Sequence, residues 1–285
     1  MSSGEGGEIG GVHPIHSLMD KTAKCKVYDL EQERFQGMPT HPSHKPGYFY
    51  ALYRQHQSTF NPEEHGLRSS ASGMIVTMEH AGTHIDALCH QAFDMKIHGG
   101  IPVTHKTETP FGFRRLGVEK IPPIVARGVL LDVAGFKGLD YLPEKYEVGE
   151  EEIRACAEDE EVEVRKGDVV LVRTGYGRFW NDEAKYMDAA GVSLEASRWL
   201  ADREVFAVGA DNSAWETLEA RDRETKTTLP SHVLLIVERG VHIMEHLSLE
   251  ELAEDGQHVF LFVCLPLKLR GATGSPIRPI AIAAR

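Results

Sequence analysis

The sequence predicts an α/β fold with a mixed sheet in a single domain, and three observations support this prediction. Short apolar segments typical of buried strands recur along the 285 residues. Helical segments separate some of these strands but not all, so the regular strand–helix alternation of a wholly parallel sheet is missing. No internal repeat is found. We expect the domain to span residues 27–285, after a flexible tail at residues 1–26 that opens MSSGEGGEIGG.

The elements follow in order from local patterns. A strand is predicted at 27–30, and a long irregular segment, rich in proline, histidine and aromatic residues, then runs to residue 66. Segments of this kind often line pockets, and we expect the same here. Later strands are predicted where aliphatic residues cluster, at 73–79, 128–133, 169–174, 205–209, 259–265 and 277–283. Helices are predicted at 149–160, at 193–202 with Ser193 as the cap, and after an S-x-x-E capping box at 248–251.

Composition and charge argue against several kinds of partner. The net charge is −12 with no long basic run, which is unfavourable for nucleic acid binding. No run of 18 apolar residues is present, so we expect no membrane span. The N-terminus lacks the basic and apolar regions of a signal peptide, and the four cysteines form no CxxC pair. These features favour a cytoplasmic protein with free thiols and a small-molecule partner.

The residues most typical of a functional site lie at 80–90, HAGTHIDALCH, where three histidines and an aspartate surround a Gly-Thr pair. Imidazole nitrogen and carboxylate oxygen are ligands of both zinc and manganese. A straight strand would separate His80 from His84 by about 13 Å. A helix would join those two but turn Asp86 about 120° away. We therefore predict a strand end, a tight turn at Gly82 and a helical turn, which together gather a metal site; a purely structural cluster is the alternative.

A second group of candidate ligands lies at 229–247, LPSHVLLIVERGVHIMEHL. His232 adjoins one apolar run and Glu245 comes near the end of another. A polar side chain in an apolar setting needs a partner, and a metal ion would be one. Taken alone, such a histidine is more often hydrogen-bonded to protein and such a glutamate more often solvated.

The motif resembles the HxGTHxDxxxH signature of the cyclase superfamily, which includes bacterial kynurenine formamidase and isatin hydrolase. The matching residues are His80, Gly82, Thr83, His84, Asp86 and His90. Later segments resemble other blocks of that family, namely VGAD at 208–211, His232, Glu245, LPL at 265–267 and GATGSPIR at 271–278. The resemblance thus extends from about residue 27 to the C-terminus.

The resemblance implies the swivelling β/β/α fold and assembly as a homodimer or homotetramer. It implies one or two divalent ions per subunit, Zn²⁺ or Mn²⁺. The first ion would be bound by His80, His84 and Asp86. Asp86 would bridge to a second ion, held by His232 and Glu245.

The chain departs from the family pattern at two positions. Many members have proline where this chain has Leu88, and their Glu-Asn-Leu turn is Glu245-His246-Leu247 here. Leu88 loosens the backbone near His90. His246 could add a polar contact or serve as a ligand in place of His232.

Together these residues indicate a metal-dependent hydrolase that opens a small cyclic amide such as isatin, or cleaves an aryl formamide such as N-formylkynurenine. A zinc-type ion lowers the pKa of a bound water from 15.7 to about 7. His90 would be the catalytic histidine, because an imidazole with a pKa near 6.5 can exchange protons near neutrality. Hydrolysis of a lactone, of the dienelactone type, uses the same residues and is an alternative. A non-catalytic protein with four protein ligands closing the site is a third interpretation.

Two smaller assignments stay open. Thr83 could bind the water or stabilise the turn, and we expect the latter. Aromatic residues could wall the pocket, although core packing explains them equally well: Tyr48, Phe49, Tyr50, Tyr53, Phe60, Trp180 and Trp215.

Overall fold

The structure is a computed structural model and describes residues 24–284. Its main feature is a nine-stranded mixed sheet. Four central strands are parallel, Ile124–Leu131, Val169–Val172, Ala207–Ala210 and His242–Glu245. Antiparallel strands extend both edges, Val259–Cys264, Ile280–Ala284 and Cys25–Asp29 beyond the first central strand, and His84–Asp86 and Gly274–Pro276 beyond the last. The predicted α/β class with a mixed sheet is confirmed.

Helices connect the parallel strands and cover one face of the sheet. The main ones are Glu150–Asp159, Leu194–Ala201 and the π-helix Val233–Arg239, which continues the short turn Pro230–His232. Shorter helices and 3-10 turns complete the fold, at His56–Thr59, Pro62–His65, Val133–Phe136, Glu183–Met187, Glu250–Glu254, Pro42–His44, His98–Gly100, Val118–Lys120 and Tyr176–Phe179. Within residues 24–284, no helix has the length and apolar character needed to cross a bilayer.

The core has two layers because successive side chains of a strand point to opposite faces of the sheet. Val129 and Leu131 pack with the helices on one face. Leu130, between them, packs on the other face with Leu171 and Phe262. Both layers are built mainly from aliphatic side chains that are fully buried.

Most predicted elements are present within about four residues of their predicted bounds. The first strand begins at Cys25, and residues 1–23 of the predicted tail lie outside the described residues. The capping box predicted at 248–251 is wrong, because the helix Glu250–Glu254 begins after Leu249 and has no side-chain cap. Residues 27–66 are also less irregular than predicted, since they contain the strand Tyr48–Arg54.

That strand pairs with Ser72–Thr77 in a separate two-stranded sheet, which we call the apolar hairpin. Large apolar side chains are exposed on both strands, and Tyr53 is 80% and Ile75 62% exposed. Phe49, Tyr50 and Tyr53 of the hairpin therefore form neither core nor pocket wall, whereas Tyr48 packs against the core cluster that contains Trp180. Trp180 and Trp215, by contrast, are buried in the core.

Replacing Leu171 by alanine is expected to lower the free energy of unfolding by about 2–5 kcal/mol, because truncating a fully buried side chain leaves a cavity. Leu67→Ala is the matched control, since Leu67 is 88% exposed and its truncation should change stability by no more than about 0.5 kcal/mol. Urea unfolding followed by circular dichroism measures both. Equal losses in the two variants would contradict the assigned core.

Candidate metal centre

A tight turn at Gly82 brings the two ends of the histidine motif together. Gly82 has φ +67°, in the left-handed region that favours glycine, and a Cβ atom there would lie 2.7 Å from Nη1 of Arg34. The Arg34 guanidinium donates hydrogen bonds to the carbonyl oxygens of Ala81 and Thr83. The turn predicted at Gly82 is therefore present, and an arginine from an earlier segment holds it.

After the turn, His84–Asp86 forms a strand, so the helical turn predicted there is wrong. This strand lies between His242–Glu245 and Gly274–Pro276 and pairs antiparallel with both. Pairing with neighbours so distant along the chain decides its conformation, and the local sequence gives no sign of it. Because alternate residues of a strand share a face, His84 and Asp86 point to one side while Ile85 packs in the core.

The candidate ligands of the motif meet around the Asp86 carboxylate. His80 Nδ1 lies 2.9 Å, and His84 Nε2 3.5 Å, from Asp86 Oδ1. All three side chains are buried. Two ligands of one ion, each bound at about 2.1 Å, can lie no more than about 4.2 Å apart. Both distances meet this limit, and the three residues can jointly hold an ion.

His232 and Glu245 reach the same place from downstream in the chain. Glu245 Oε1 lies 3.1 Å from His232 Nε2, and Glu245 Oε2 lies 3.4 Å from His84 Nε2. Asp86 Oδ2 faces His232 Nε2 at 3.8 Å. Asp86, His232 and Glu245 thus form a second group able to hold an ion. The structure brings together all five candidate ligands, in two sets that share Asp86.

Several buried polar atoms of the cluster lie near one another without a hydrogen bond of normal geometry, and these atoms test whether a cation fits. His80 Nδ1 and both carboxylate oxygens of Asp86 make no hydrogen bond with any residue in the range 24–284. Leaving a buried polar group unpaired costs about 1–3 kcal/mol, and more for a charged group. A divalent ion between them would satisfy these atoms together, and the mixture of nitrogen and oxygen donors suits zinc and manganese alike.

The second ring nitrogens of the motif histidines are held by oxygen atoms. His84 Nδ1 lies 2.8 Å from the carbonyl oxygen of Gly82. His80 Nε2 lies 2.8 Å from Thr273 Oγ1, and that hydroxyl donates to the Glu79 carboxylate. Contacts of this type fix the orientation and tautomer of a metal-binding histidine. The nitrogens that face Asp86 are therefore oriented for coordination.

Glu216, which no sequence pattern predicts, has the same role for His232. Its Oε2 lies 2.7 Å from His232 Nδ1, and its Oε1 accepts hydrogen bonds from the backbone N–H groups of Ser231 and His232. The Glu216 carboxylate is itself buried. No local pattern predicts this role, because Glu216 meets His232 only when the loop between them folds.

Asp86 remains ionised although it is buried. Burial would raise the pKa of its carboxyl group, but the imidazoles of His90, His80 and His84 outweigh that effect and hold the pKa well below its usual value. The Asp86 carboxylate therefore keeps its negative charge at a position that water does not reach. A cation bound there gains a strong electrostatic interaction.

An open pocket of about 190 Å³ leads to the cluster. His90 lines this pocket, and its ring stacks on that of His80 with centroids 3.9 Å apart. Among the described residues, the groups able to hold an ion jointly do not include His90. This histidine thus lies beside the candidate ligands and is open to a molecule in the pocket.

Two further histidines, His41 and His44, line the pocket from the start of the segment predicted as irregular. The His44 ring stacks on that of His80 with centroids 4.9 Å apart. Burial, together with neighbouring imidazoles, lowers the pKa of His44 to about 4, so its ring is neutral at pH 7. The expectation that this segment lines a pocket is confirmed. The sequence did not predict which of its histidines would do so.

Thr83 and Asp211 support the scaffold of the site. Thr83 Oγ1 donates to the carbonyl oxygen of His246 at 2.6 Å and accepts from the backbone N–H of Gln32 at 2.9 Å, so it stabilises the turn as expected. Asp211, at the end of VGAD, is buried and accepts hydrogen bonds from the backbone and side chain of Thr174. It thereby ties together the ends of two neighbouring parallel strands.

The model of one protein family, described as "Cyclase: Putative cyclase", matches residues 28–217, which is more than half of the chain. The chain belongs to this cyclase family, as the motif predicted. Two curated relatives come from Oryza sativa subsp. japonica. Cyclase-like protein 3 is 36% identical over 93 residues, or 32% of this chain and 31% of that protein. Cyclase-like protein 2 is 30% identical over 104 residues, or 36% and 34% respectively. The matched stretches thus span about a third of the length of these relatives.

Solved structures with a similar fold match over nearly the whole chain. A crystal structure described as a novel cyclase has a TM-score of 0.81 and 26% identity, and the match covers 95% of this chain and 92% of that one. Isatin hydrolase A from Labrenzia aggregata, bound to benzyl benzoate, has a TM-score of 0.71 and 21% identity, with coverage of 96% and 100%. At that identity the second likeness establishes the fold alone.

Glu216→Gln is expected to weaken divalent metal binding by about 10–100-fold, because an amide in place of the carboxylate no longer offers His232 Nδ1 a charged acceptor. Competition with a chromophoric chelator measures the dissociation constant. Glu158→Gln, an exposed position on the helix Glu150–Asp159, is the control and should leave that constant unchanged. If Glu216→Gln binds metal like the wild type, Glu216 does not support the centre.

Proposed function

We propose that this chain is a metal-dependent hydrolase that opens a small cyclic amide, as in isatin, or cleaves an aryl formamide of the N-formylkynurenine type. The observation that carries the proposal is the buried, ionised Asp86. It has imidazole nitrogens on two sides, makes no hydrogen bond of normal geometry with residues 24–284, and has a pocket at its edge. Family membership and the fold shared with isatin hydrolases support the same activity.

In this proposal His80, His84 and Asp86 hold one divalent ion, and Asp86 with His232 and Glu245 offers a second position. The ion would supply Lewis-acid chemistry, polarising a substrate carbonyl and lowering the pKa of water to about 7. Glu216 and the Thr273–Glu79 pair keep the imidazoles oriented, so little reorganisation is needed when substrate binds.

His90 is the general acid and base of the proposed reaction. Its ring stacks on the candidate ligand His80 and borders the pocket, so it can reach both a water and a leaving nitrogen near the cluster. A neutral imidazole can take a proton from water and return it to the leaving group. Hydrolysis of an amide needs both transfers, because a free amide anion is a very poor leaving group.

The pocket lining suits a small substrate with carbonyl oxygens. Besides the candidate ligands, it presents mainly polar side chains, those of His41, Ser43, His44, Gln91 and Ser213. This opening favours a metal site with a coordination position free for water or substrate over a purely structural site that protein ligands close.

Removal of metal is expected to abolish hydrolysis, and Zn²⁺ or Mn²⁺ should restore it. The test uses chelator-treated full-length protein with isatin, N-formylkynurenine and a small lactone as substrates, and follows product formation by absorbance. Asp86→Asn, which removes the central charge and keeps the shape, should remain inactive after metal is added back. Full activity of the metal-free protein would overturn the proposal, and turnover of the lactone alone would replace the amide substrate with an ester.

His90→Ala is expected to lower kcat by about 10²–10⁴-fold, because proton transfer loses its positioned group. Metal content, measured by mass spectrometry of the purified protein, should stay at the wild-type value. His105→Ala, at an exposed position, is the control for loss of an imidazole. Loss of metal from His90→Ala would make His90 a ligand, and a wild-type kcat would exclude it from the reaction.

A further inference from the structure

His246 is a buried histidine whose role neither the motif nor the proposed mechanism explains. It follows Glu245 directly at the end of the strand His242–Glu245, and its side chain has no exposed surface. Its backbone has φ +57°, a left-handed conformation that asparagine, aspartate and histidine tolerate better than most residues. Of the three residue types that tolerate this conformation, only histidine can offer a metal ion a nitrogen ligand.

The surroundings of the ring fix its orientation. Tyr186 Oη lies 3.0 Å from His246 Nδ1, and the two rings stack at an angle of 16° with centroids 5.6 Å apart. The Trp180 ring packs against the imidazole edge-on at 5.4 Å. The other nitrogen, Nε2, is buried and has no hydrogen-bond partner in the part of the chain that the structure describes. A buried ring nitrogen of this kind is costly unless some group satisfies it.

Two candidate ligands, His84 and Glu245, lie near the His246 ring. One ligand atom from each of His84, Glu245 and His246 lies within 4.8 Å of the others, and the rings of His84 and His246 have centroids 5.7 Å apart. His84 Nε2 lies between the two carboxylates, 3.5 Å from Asp86 and 3.4 Å from Glu245. An ion bound to His84 on the Glu245 side would meet His246 as well.

We propose that His246 is a further ligand of the ion bound at His84, contributing Nε2 beside the Glu245 carboxylate. This inference rests on the metal centre of the proposed function and adds a residue to it. Tyr186 acts as the positioning residue. When Nδ1–H donates to the Tyr186 hydroxyl oxygen, the lone pair of the neutral ring is on Nε2, where the ion would lie.

The additional nitrogen has a consequence for the choice of metal. Imidazole ligands suit zinc, whereas carboxylate and water ligands suit manganese. A donor set enriched by a further imidazole therefore favours Zn²⁺ over Mn²⁺. Asparagine at this position would offer only a weak amide oxygen, so this chain should be more selective for zinc than its His246→Asn variant.

The test compares metal binding by wild type and His246→Asn, using full-length protein stripped with a chelator and titrated with Zn²⁺ or Mn²⁺ alone. We expect the zinc dissociation constant to rise by at least about tenfold, since a direct ligand should matter no less than an outer contact. The manganese constant should change less, so that zinc selectivity falls. In the Co²⁺-loaded proteins, loss of a nitrogen donor should alter the visible d–d absorption. His258→Asn, whose imidazole pairs with Glu160 away from the centre, is the matched control.

Thermal unfolding separates a ligand from a residue that only packs. For a ligand, His246→Asn should lower the rise in Tm that zinc produces, in addition to any loss of Tm that the missing ring causes in the stripped protein. Equal loss of Tm with and without zinc, with unchanged dissociation constants, would overturn the inference and leave the proposed function intact. If the wild type binds neither ion, the proposed function and this inference both fail.

A second variant covers the case in which His246→Asn does not fold. Tyr186→Phe keeps the stacked ring and removes the oxygen that orients His246 Nδ1. We expect this variant to bind zinc severalfold more weakly and to show the Co²⁺ spectrum of the wild type at saturation. Unchanged zinc affinity in Tyr186→Phe would also count against the assigned role of His246.

Discussion

The negative charge of Asp86, held in the interior of the protein, is the interaction on which the rest of the site depends. An isolated carboxylate in a medium of low polarity would be strongly destabilised or would take up a proton. Here several imidazoles surround it and keep it ionised. Such an arrangement is most stable when a cation completes it, so in the proposed metal centre metal binding would also stabilise the folded chain.

The sheet brings the residues around Asp86 together from distant parts of the chain. The strand His84–Asp86 is short, and its conformation depends on two antiparallel neighbours that lie far away in sequence. The same pairing aligns Glu245 with His84 in register. A change that shifted this register by one residue would turn both His84 and Asp86 away from the pocket, because alternate side chains face opposite sides. The geometry of the centre is therefore a property of strand pairing more than of any single turn.

What the sequence predicts well is what local chemistry determines. The density of ligands at 80–90, the glycine at the turn and the aliphatic strands are all visible without a structure. His232 and Glu245 were credible mainly through family resemblance, because nothing local pairs them with residues about 150 positions earlier. The sequence does not predict the roles of Glu216, His44 and Tyr186, because each acquires its role only when loops fold against the cluster. The helical turn predicted after Gly82 failed for the same reason, because long-range pairing overrides local preference.

The apolar hairpin is connected to the centre through the chain at both of its ends. One strand starts at Tyr48, four residues after the pocket histidine His44, and the other ends at Thr77, three residues before His80. A two-stranded sheet in water is only marginally stable by itself, so its order depends on how firmly its ends are fixed. Fixing the hairpin therefore also restricts the backbone next to His44 and His80. Whatever immobilises the one makes it less costly in entropy to immobilise the other.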